Sequence, residues 1–361
     1  MTHLLRDFLS KTKIFLIAIP LFYQYKLFKN NRRRTDKAIL IQLKHNYFKR
    51  YLYVLIKFLY LEGYTIYIKP NLTGFYNLRT EQFGSYLFSE KIIRVGRAPK
   101  NIEIVVLDES AVSADYFDES KSDDEFSAGY HVPMSQHPIM YKEGWWNATI
   151  VGAKRKHSLF MAGNFDEGTY TSIEKDGIFK TLSRLRLHSF LLNKHLLYPI
   201  NSLQNLHNFY ASAIDHKIIL INRLKINVPM DELRHWLAKF DFYFALPGVI
   251  MPFSHNIIEA MSVGCIPFLQ QSYADMFKPP LVNHKQVLTF TDLSDLEIKI
   301  EYLMGLDSSK IEFMRNEVNT YYGSFLTPNK VVASLINVNF KNIYLQAEDY
   351  SVALLKKTKN L

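Results

Sequence analysis

Asp241–Gln270, DFYFALPGVIMPFSHNIIEAMSVGCIPFLQ, reads as strand, loop, helix and strand. Asp241–Leu246 is a short apolar run rich in aromatics, the composition of a buried strand. Pro247 and Gly248 break the regular structure. Ser254 stands at a helix start, and Ile257, Ile258 and Met261 recur at the spacing of one helix face. Gly264 ends that helix, and Cys265–Leu269 forms a second buried strand. Glu259 falls mid-helix among apolar neighbours, where an unpaired carboxylate is costly, so it needs a partner. A helix start facing a cleft with a carboxylate behind it suits a ligand that carries phosphates and hydroxyls. The helix start attracts the anion and the carboxylate accepts from the hydroxyls.

The flanking sequence supplies more strands of the same kind. Lys37–Leu43 reads as a strand, Tyr47–Leu61 as a helix and Tyr64–Ile68 as the next strand, with another apolar run at Ile102–Leu107. Asn71–Pro99 is less regular. Ser110–Glu125 is acidic and serine-rich, the pattern of a solvated loop or of a contact to an acceptor or partner. Gly129–Trp146 has no helical or strand period and reads as an interdomain crossing or a pocket wall. From about Arg155 a second set begins: strand Ser158–Ala162, a basic amphipathic helix Ile173–Asn193, strand Lys217–Asn222 and helix Met230–Lys239 after Pro229. Leu293–Met304, Lys310–Tyr322 and Asn329–Phe340 read as closing helices, and Asp349–Leu361 as a frayed basic end. Strands alternating with helices specify open α/β sheets with right-handed crossovers. The domains expected are a basic arm over 1–34, an α/β domain over 35–150, a second over 151–341 and a tail over 342–361.

The 361 residues suffice for two domains with separate cores. Of the net charge of +10, +7 sits in residues 1–34, where eight basic residues face Asp7 alone. The basic balance therefore describes an arm rather than a nucleic-acid-binding face. Ile14–Phe22 is apolar, flanked by lysines and followed by Tyr23, Tyr25 and Phe28 among Lys26 and Lys29. That mixture suits the headgroup zone of an anionic membrane surface, or a solubilising arm. The run is too short to span a bilayer, and no small-residue cleavage site follows it. Cys265 is the single cysteine, so no internal disulfide forms, and it reads as a core residue in a reducing compartment. Phosphate-loop, dinucleotide and nucleophile-elbow motifs are absent, which disfavours ATPases, dehydrogenases and hydrolases. The chain has no Asp-x-Asp pair.

The opening segment resembles the nucleotide-binding motif of GT-B sugar-nucleotide glycosyltransferases, most closely the exostosin-like group. The residues that carry the resemblance are Pro247, Gly248, Ser254, Glu259, Ala260, Gly264, Cys265, Ile266 and Pro267. Asn256 stands where that group places a basic residue. Met251 stands where retaining members place a first glutamate. The resemblance implies a GT-B fold: two facing Rossmann-like domains with an interdomain cleft and a final helix returning to the first domain. It further implies transfer of a sugar from a UDP- or GDP-sugar to a hydroxyl of a glycan or lipid-linked acceptor, in cell-surface polysaccharide or lipopolysaccharide assembly. No metal and no cofactor is expected, and no nucleic acid is expected as a partner. The enzyme is expected in the cytoplasm, on the inner face of the membrane.

In open α/β sheets ligands bind beyond the carboxyl ends of the strands, and the expected donor site is drawn from those ends. Gly163 lets a backbone approach a phosphate and Asn164 can bond it, unless the pair is an ordinary turn. Arg155, between Lys154 and Lys156 just before the first strand of the second domain, and Arg223, directly after a strand, are the cations expected to neutralise the departing diphosphate, unless they are solvated. Ser254, His255 and Asn256 would line the diphosphate, and Glu259 would accept from the ribose hydroxyls unless a lysine or backbone donor pairs it. His45 and Asp108, after strands of the first domain, are candidates for the general base, with His131 and His137 as rivals. The alternatives are a non-catalytic glycan- or protein-binding module on the same fold, or another sugar-nucleotide enzyme built on it.

Overall fold

The apolar runs form parallel sheets, and the chain path sorts them into two units. The computed structural model describes residues 12–13, 16–17, 19–25, 37–43, 48–96, 104–118, 129–150, 152, 154–170, 172–175 and 177–359. His45, most of the basic arm and residues 119–128 of the acidic loop lie outside the described residues. Unit 1 comprises Met1–Val132 and Pro328–Leu361, and unit 2 is Pro133–Thr327.

Unit 1 begins with β1 (Ala38–Ile41), the helix Lys49–Leu61 and β2 (Thr65–Ile68). Helices Leu72–Thr80 and Gly84–Ser89 lead to β3 (Ile93–Val95) and β4 (Ile104–Leu107), followed by the short β5 (Val112–Ser113) and β6 (Tyr130–His131). The sheet order is β3-β2-β1-β4, all parallel. Helix Lys49–Leu61 is buried from Tyr51 to Leu59, so its one charge there needs a partner. Lys57 finds it in Glu90, which also accepts from the Tyr53 hydroxyl at 2.6 Å.

Unit 2 holds β7 (Lys156–Gly163), β8 (Ile218–Asn222), β9 (Phe240–Phe244), β10 (Ile266–Gln270) and β11 (Leu288–Phe290). Their order is β11-β10-β9-β7-β8, again parallel. Counted from β8, the sequence of strands is second, first, third, fourth, fifth. The winding therefore reverses between β7 and β9, and the crevice outside their carboxyl ends is the topological switch point. Phe240, Phe242, Phe244, Phe160 and Phe268 are all essentially inaccessible, so aromatics fill this core.

After Thr327 the chain returns to unit 1, as expected of the final helix. Helix Pro328–Asn337 packs on helix Lys49–Leu61. Next, β12 (Ile343–Tyr344) enters a three-stranded parallel sheet between β5 and β6. The stretch expected to fray is the helix Asp349–Thr358, which buries Ser351, Val352 and Leu355. The units divide at 132/133 and 327/328, earlier at both points than the boundaries read from the sequence. The reason is local bonding: Gln136 and His137 bind Tyr322 and Glu259 of unit 2.

Other differences have equally local causes. The single helix expected over Ile173–Asn193 is two, Ser172–Lys175 and Arg184–Asn193. Gly177, at φ +61°, and the Ser183 cap, which accepts from the Arg186 amide at 3.2 Å, separate them. In the less regular stretch, Asn71 caps helix Leu72–Thr80 by accepting from the Gly74 amide at 2.7 Å. Of the basic arm, residues 19–25 are helical, with Phe22 and Tyr25 edge-on to Phe75 at 5.3 and 5.9 Å, while Tyr23 is exposed. Among the described residues no helix is long and apolar enough to cross a membrane.

Candidate active site

The expected donor residues at the carboxyl ends of β7 and β9 meet at the unit 2 switch point. A residue not singled out in the sequence holds them there. Arg184, in the first turn of its helix, donates through Nε to the Pro247 carbonyl at 3.1 Å and through Nη1 to the Asn164 carbonyl at 2.9 Å. Its guanidinium lies 4.2 Å from the Tyr170 ring centroid. Burial lowers its pKa while Tyr170, Tyr243 and Tyr273 oppose the shift, and an arginine so placed keeps its charge. Asn256 Nδ2 donates to the Ala162 carbonyl at 3.1 Å, which fastens helix His255–Met261 to β7. Gly248 is required by close approach, since a Cβ there would sit 2.7 Å from the Met251 carbonyl oxygen and 2.8 Å from that of Phe253. Gly163, Asn164, Pro247, Gly248 and Asn256 thus gather at one end of the sheet.

Ser254 occupies the N-cap position, but its side chain makes no capping bond. Its amide instead donates to the Tyr273 hydroxyl at 2.9 Å, so the expected cap is replaced by a tether to the next helix.

Glu259 is fully buried, and it has the partners its position demanded. Oε1 accepts from the His137 amide at 3.0 Å and from His255 Nδ1 at 3.0 Å. Oε2 is buried with no hydrogen-bond partner among the described residues. Burial pushes the carboxyl up, but the charge and hydrogen bond of His255, with the His137 amide, outweigh it and leave the group below its ordinary value. The surroundings are polar: the charge of Glu259 is felt at Arg234 and at the phenols of Tyr141 and Tyr322. His137 caps helix Pro138–Lys142, its Nδ1 accepting from the Ile139 amide at 3.2 Å, and its ring meets that of His255 at 4.9 Å. The His255 side chain keeps 22 % of its surface exposed, and His137 is half-buried too. Glu259 itself has no accessible surface. The carboxylate therefore orders His255 and the segment at His137, and it does not face an open groove.

The remaining expected residues stand elsewhere. Arg155 lies at the amino end of β7, opposite the switch point, where Nη1 donates to the Phe240 carbonyl at 2.6 Å and Nη2 to that of Val263. Arg223 follows β8 and turns to the Val228 carbonyl at 3.1 Å. In unit 1, Asp108 sits at the end of β4, beside the β1/β4 reversal, and accepts from the Ser110 hydroxyl at 2.5 Å and amide at 2.9 Å. Those bonds hold its carboxyl below the usual range. His131 is buried in β6, stacked on Tyr344 at 4.5 Å, in a packing role. Cys265 is buried, and burial pushes its thiol up to about 12.

No protein-family model matches the chain, and no curated protein matches it. Solved structures do. HepE of Anabaena in complex with UDP is similar at 9 % identity and TM-score 0.44, with 84 % of this chain and 99 % of that one covered. The glycotransferase of kitacinnamycin is similar at 9 % identity and TM-score 0.38, with 85 % and 99 % covered. The N-terminal domain of Candida albicans trehalose-6-phosphate phosphatase is similar at 11 % identity and TM-score 0.33, with 91 % and 75 % covered.

Proposed function

We propose that the chain is a GT-B, exostosin-like glycosyltransferase that moves a sugar from a UDP- or GDP-sugar to a hydroxyl of a glycan or lipid-linked acceptor. One observation carries the reading: the loops after β7 and β9, bridged by Arg184, meet at the unit 2 switch point next to the His255–Glu259 pair. The donor diphosphate would lie against these loops, in the field of Arg184. This guanidinium brings the positive charge that the exostosin-like pattern places at position 256, where Asn256 binds β7 instead. His255, exposed at its edge, would meet the diphosphate or the sugar. The unpartnered Glu259 Oε2 would accept from a ribose hydroxyl once the segment at His137 is displaced; an unmade bond of this kind costs about 1–3 kcal/mol, which a hydroxyl donor offsets. On the acceptor side Asp108 and His45 are the proposed bases, and the chemistry is metal-independent. The apolar Leu16, Ile17 and Tyr23 are exposed on the basic arm, which supports attachment to an anionic membrane surface and a role in surface-glycan assembly.

A second reading is favoured by the closure of Glu259. A carboxylate sealed by His137 and His255 is compatible with a glycan- or protein-binding module that keeps the scaffold without catalysis. Incubation of the purified protein with a panel of UDP- and GDP-sugars separates the two. Release of the nucleoside diphosphate from one donor, lowered about tenfold or more in Arg184→Lys, is the result expected of a transferase. No hydrolysis and no thermal stabilisation with any nucleotide sinks it in favour of the binding module.

A further inference from the structure

Unit 2 has a second concave feature, at the amino ends of β7, β9 and β10. Trp146, Arg155, Arg234, Ser262 and Tyr322 are among the residues that line a cavity of about 490 Å³, within the size range of small-molecule sites. Its chemistry is set by two guanidiniums. Arg234, in helix Met230–Leu237, donates through Nε to Ser262 Oγ at 3.0 Å and through Nη1 to the carbonyls of Trp145 at 2.6 Å and Ala148 at 3.0 Å. Arg155 holds the carbonyls of Phe240 and Val263. Consecutive residues, Ser262 and Val263, thus accept from the two guanidiniums, and both arginines line the cavity. Backbone carbonyls satisfy donor groups without cancelling charge. The carboxylates whose fields reach these arginines are bonded elsewhere, Asp241 to Arg315 and Glu259 to His255 and the His137 amide. Among the described residues neither Arg155 nor Arg234 forms an ion pair.

Two desolvated cations on one cavity wall call for an anion, and a phosphoryl dianion matches their two charges better than a single carboxylate. The volume exceeds what phosphate alone occupies, and the lining includes Trp146, an aromatic residue of the kind on which a sugar or base ring stacks. We propose that this cavity binds a phosphate monoester of a small cyclic molecule, at a site separate from the switch point. The proposal is independent of the glycosyltransferase reading, because no residue named in it belongs to the loops after β7 and β9.

Calorimetric titration of the full chain with inorganic phosphate, glucose 1-phosphate and uridine monophosphate tests it. Saturable binding of a monoester is expected, tighter than inorganic phosphate, and the stronger of the two monoesters identifies a sugar or a base as the stacked ring. Thr149→Trp, an exposed wall residue whose enlargement fills the cavity, weakens that binding at least tenfold, and Arg234→Lys does the same by removing the fork. Should Arg234→Lys fail to fold, Thr149→Trp alone decides. His255→Ala leaves the binding intact, which distinguishes this site from the proposed donor site. Absence of binding for all three probes, or unchanged affinity in Thr149→Trp, overturns the proposal.

Discussion

Glu259 shows what a single buried carboxylate organises. Its Oε1 joins the His137 amide, 122 residues earlier in the chain, to His255 on its own helix. Because its pKa in the folded protein lies below its ordinary 4.5, the carboxylate stabilises the fold above that value, and the contribution is lost as pH falls through the folded value. Glu259→Gln is therefore expected to be less stable by about 1–3 kcal/mol at neutral pH. The gap to wild type should narrow as pH falls below 4.5. Urea titrations of both proteins at neutral pH and at about pH 3 check this; a gap that does not change with pH contradicts the pairing. The need for a partner at Glu259 was legible in the sequence, since a carboxylate among Ile257, Ile258 and Met261 cannot stay unpaired. Which group supplies it was not, because a backbone amide so far away in the chain leaves no trace in residue type. Arg184 was hidden for a related reason: in a run of basic residues, RLRLH, nothing marks the one arginine that faces inward. Arg155 precedes its strand in the sequence and so stands at the amino end, where it holds the Phe240 and Val263 carbonyls; what the sequence did not show is that these carbonyls, rather than a diphosphate, take its donors.

Elements in this chain are set by local rules wherever those rules are strong. The strand–loop–helix–strand reading of Asp241–Gln270 matches β9, helix His255–Met261 and β10 within a residue or two, because an aromatic run, a Pro-Gly break and a terminal glycine each permit little else. Gly264 has φ +68°, and the Cys265 amide closes the helix by donating to the Ala260 carbonyl at 3.0 Å. The elements that were missed are those made by partners. Two-residue β12 has no periodicity, and it exists because β5 and β6 flank it. Helix Asp349–Thr358 looked like a basic end because only Ser351, Val352 and Leu355 point inward. The two glycines of the opening segment separate backbone strain from steric closure. Gly264→Ala meets a positive φ and places Cβ 2.8 Å from the Asn319 side-chain oxygen, which can move; a loss of about 1–2 kcal/mol is expected. Gly248→Ala has no φ penalty but meets two backbone carbonyls at 2.7 and 2.8 Å, which cannot move without opening the loop held by Arg184. Denaturation midpoints should fall for both, whereas affinity for a nucleoside diphosphate should fall only for Gly248→Ala. Equal affinity in both variants contradicts the placement of the donor at that loop.

At the scale of the whole chain, the two units differ in how they are threaded. Unit 2 is one continuous stretch, Pro133–Thr327, with its five-stranded sheet and the polar cluster around Glu259 contained inside it. Unit 1 is discontinuous. Its last stretch contributes helix Pro328–Asn337, which packs on the buried helix Lys49–Leu61 through Val331, Val332 and Leu335, and the central strand of its three-stranded sheet. Removing that stretch uncovers a helix buried from Tyr51 to Leu59, and a fully buried side chain of this kind is worth about 1.5–3 kcal/mol of transfer free energy. Losing several of them exceeds the roughly 5–15 kcal/mol that holds a domain together. A fragment of residues 133–327 is accordingly expected to unfold cooperatively on heating, whereas a fragment of residues 1–132 is expected to give no cooperative transition. Adding residues 328–361 through a short flexible linker should restore the transition to the second fragment. Calorimetry of the three fragments reads the outcome, and cooperative unfolding of residues 1–132 alone would show that the returning stretch decorates unit 1 without completing its core.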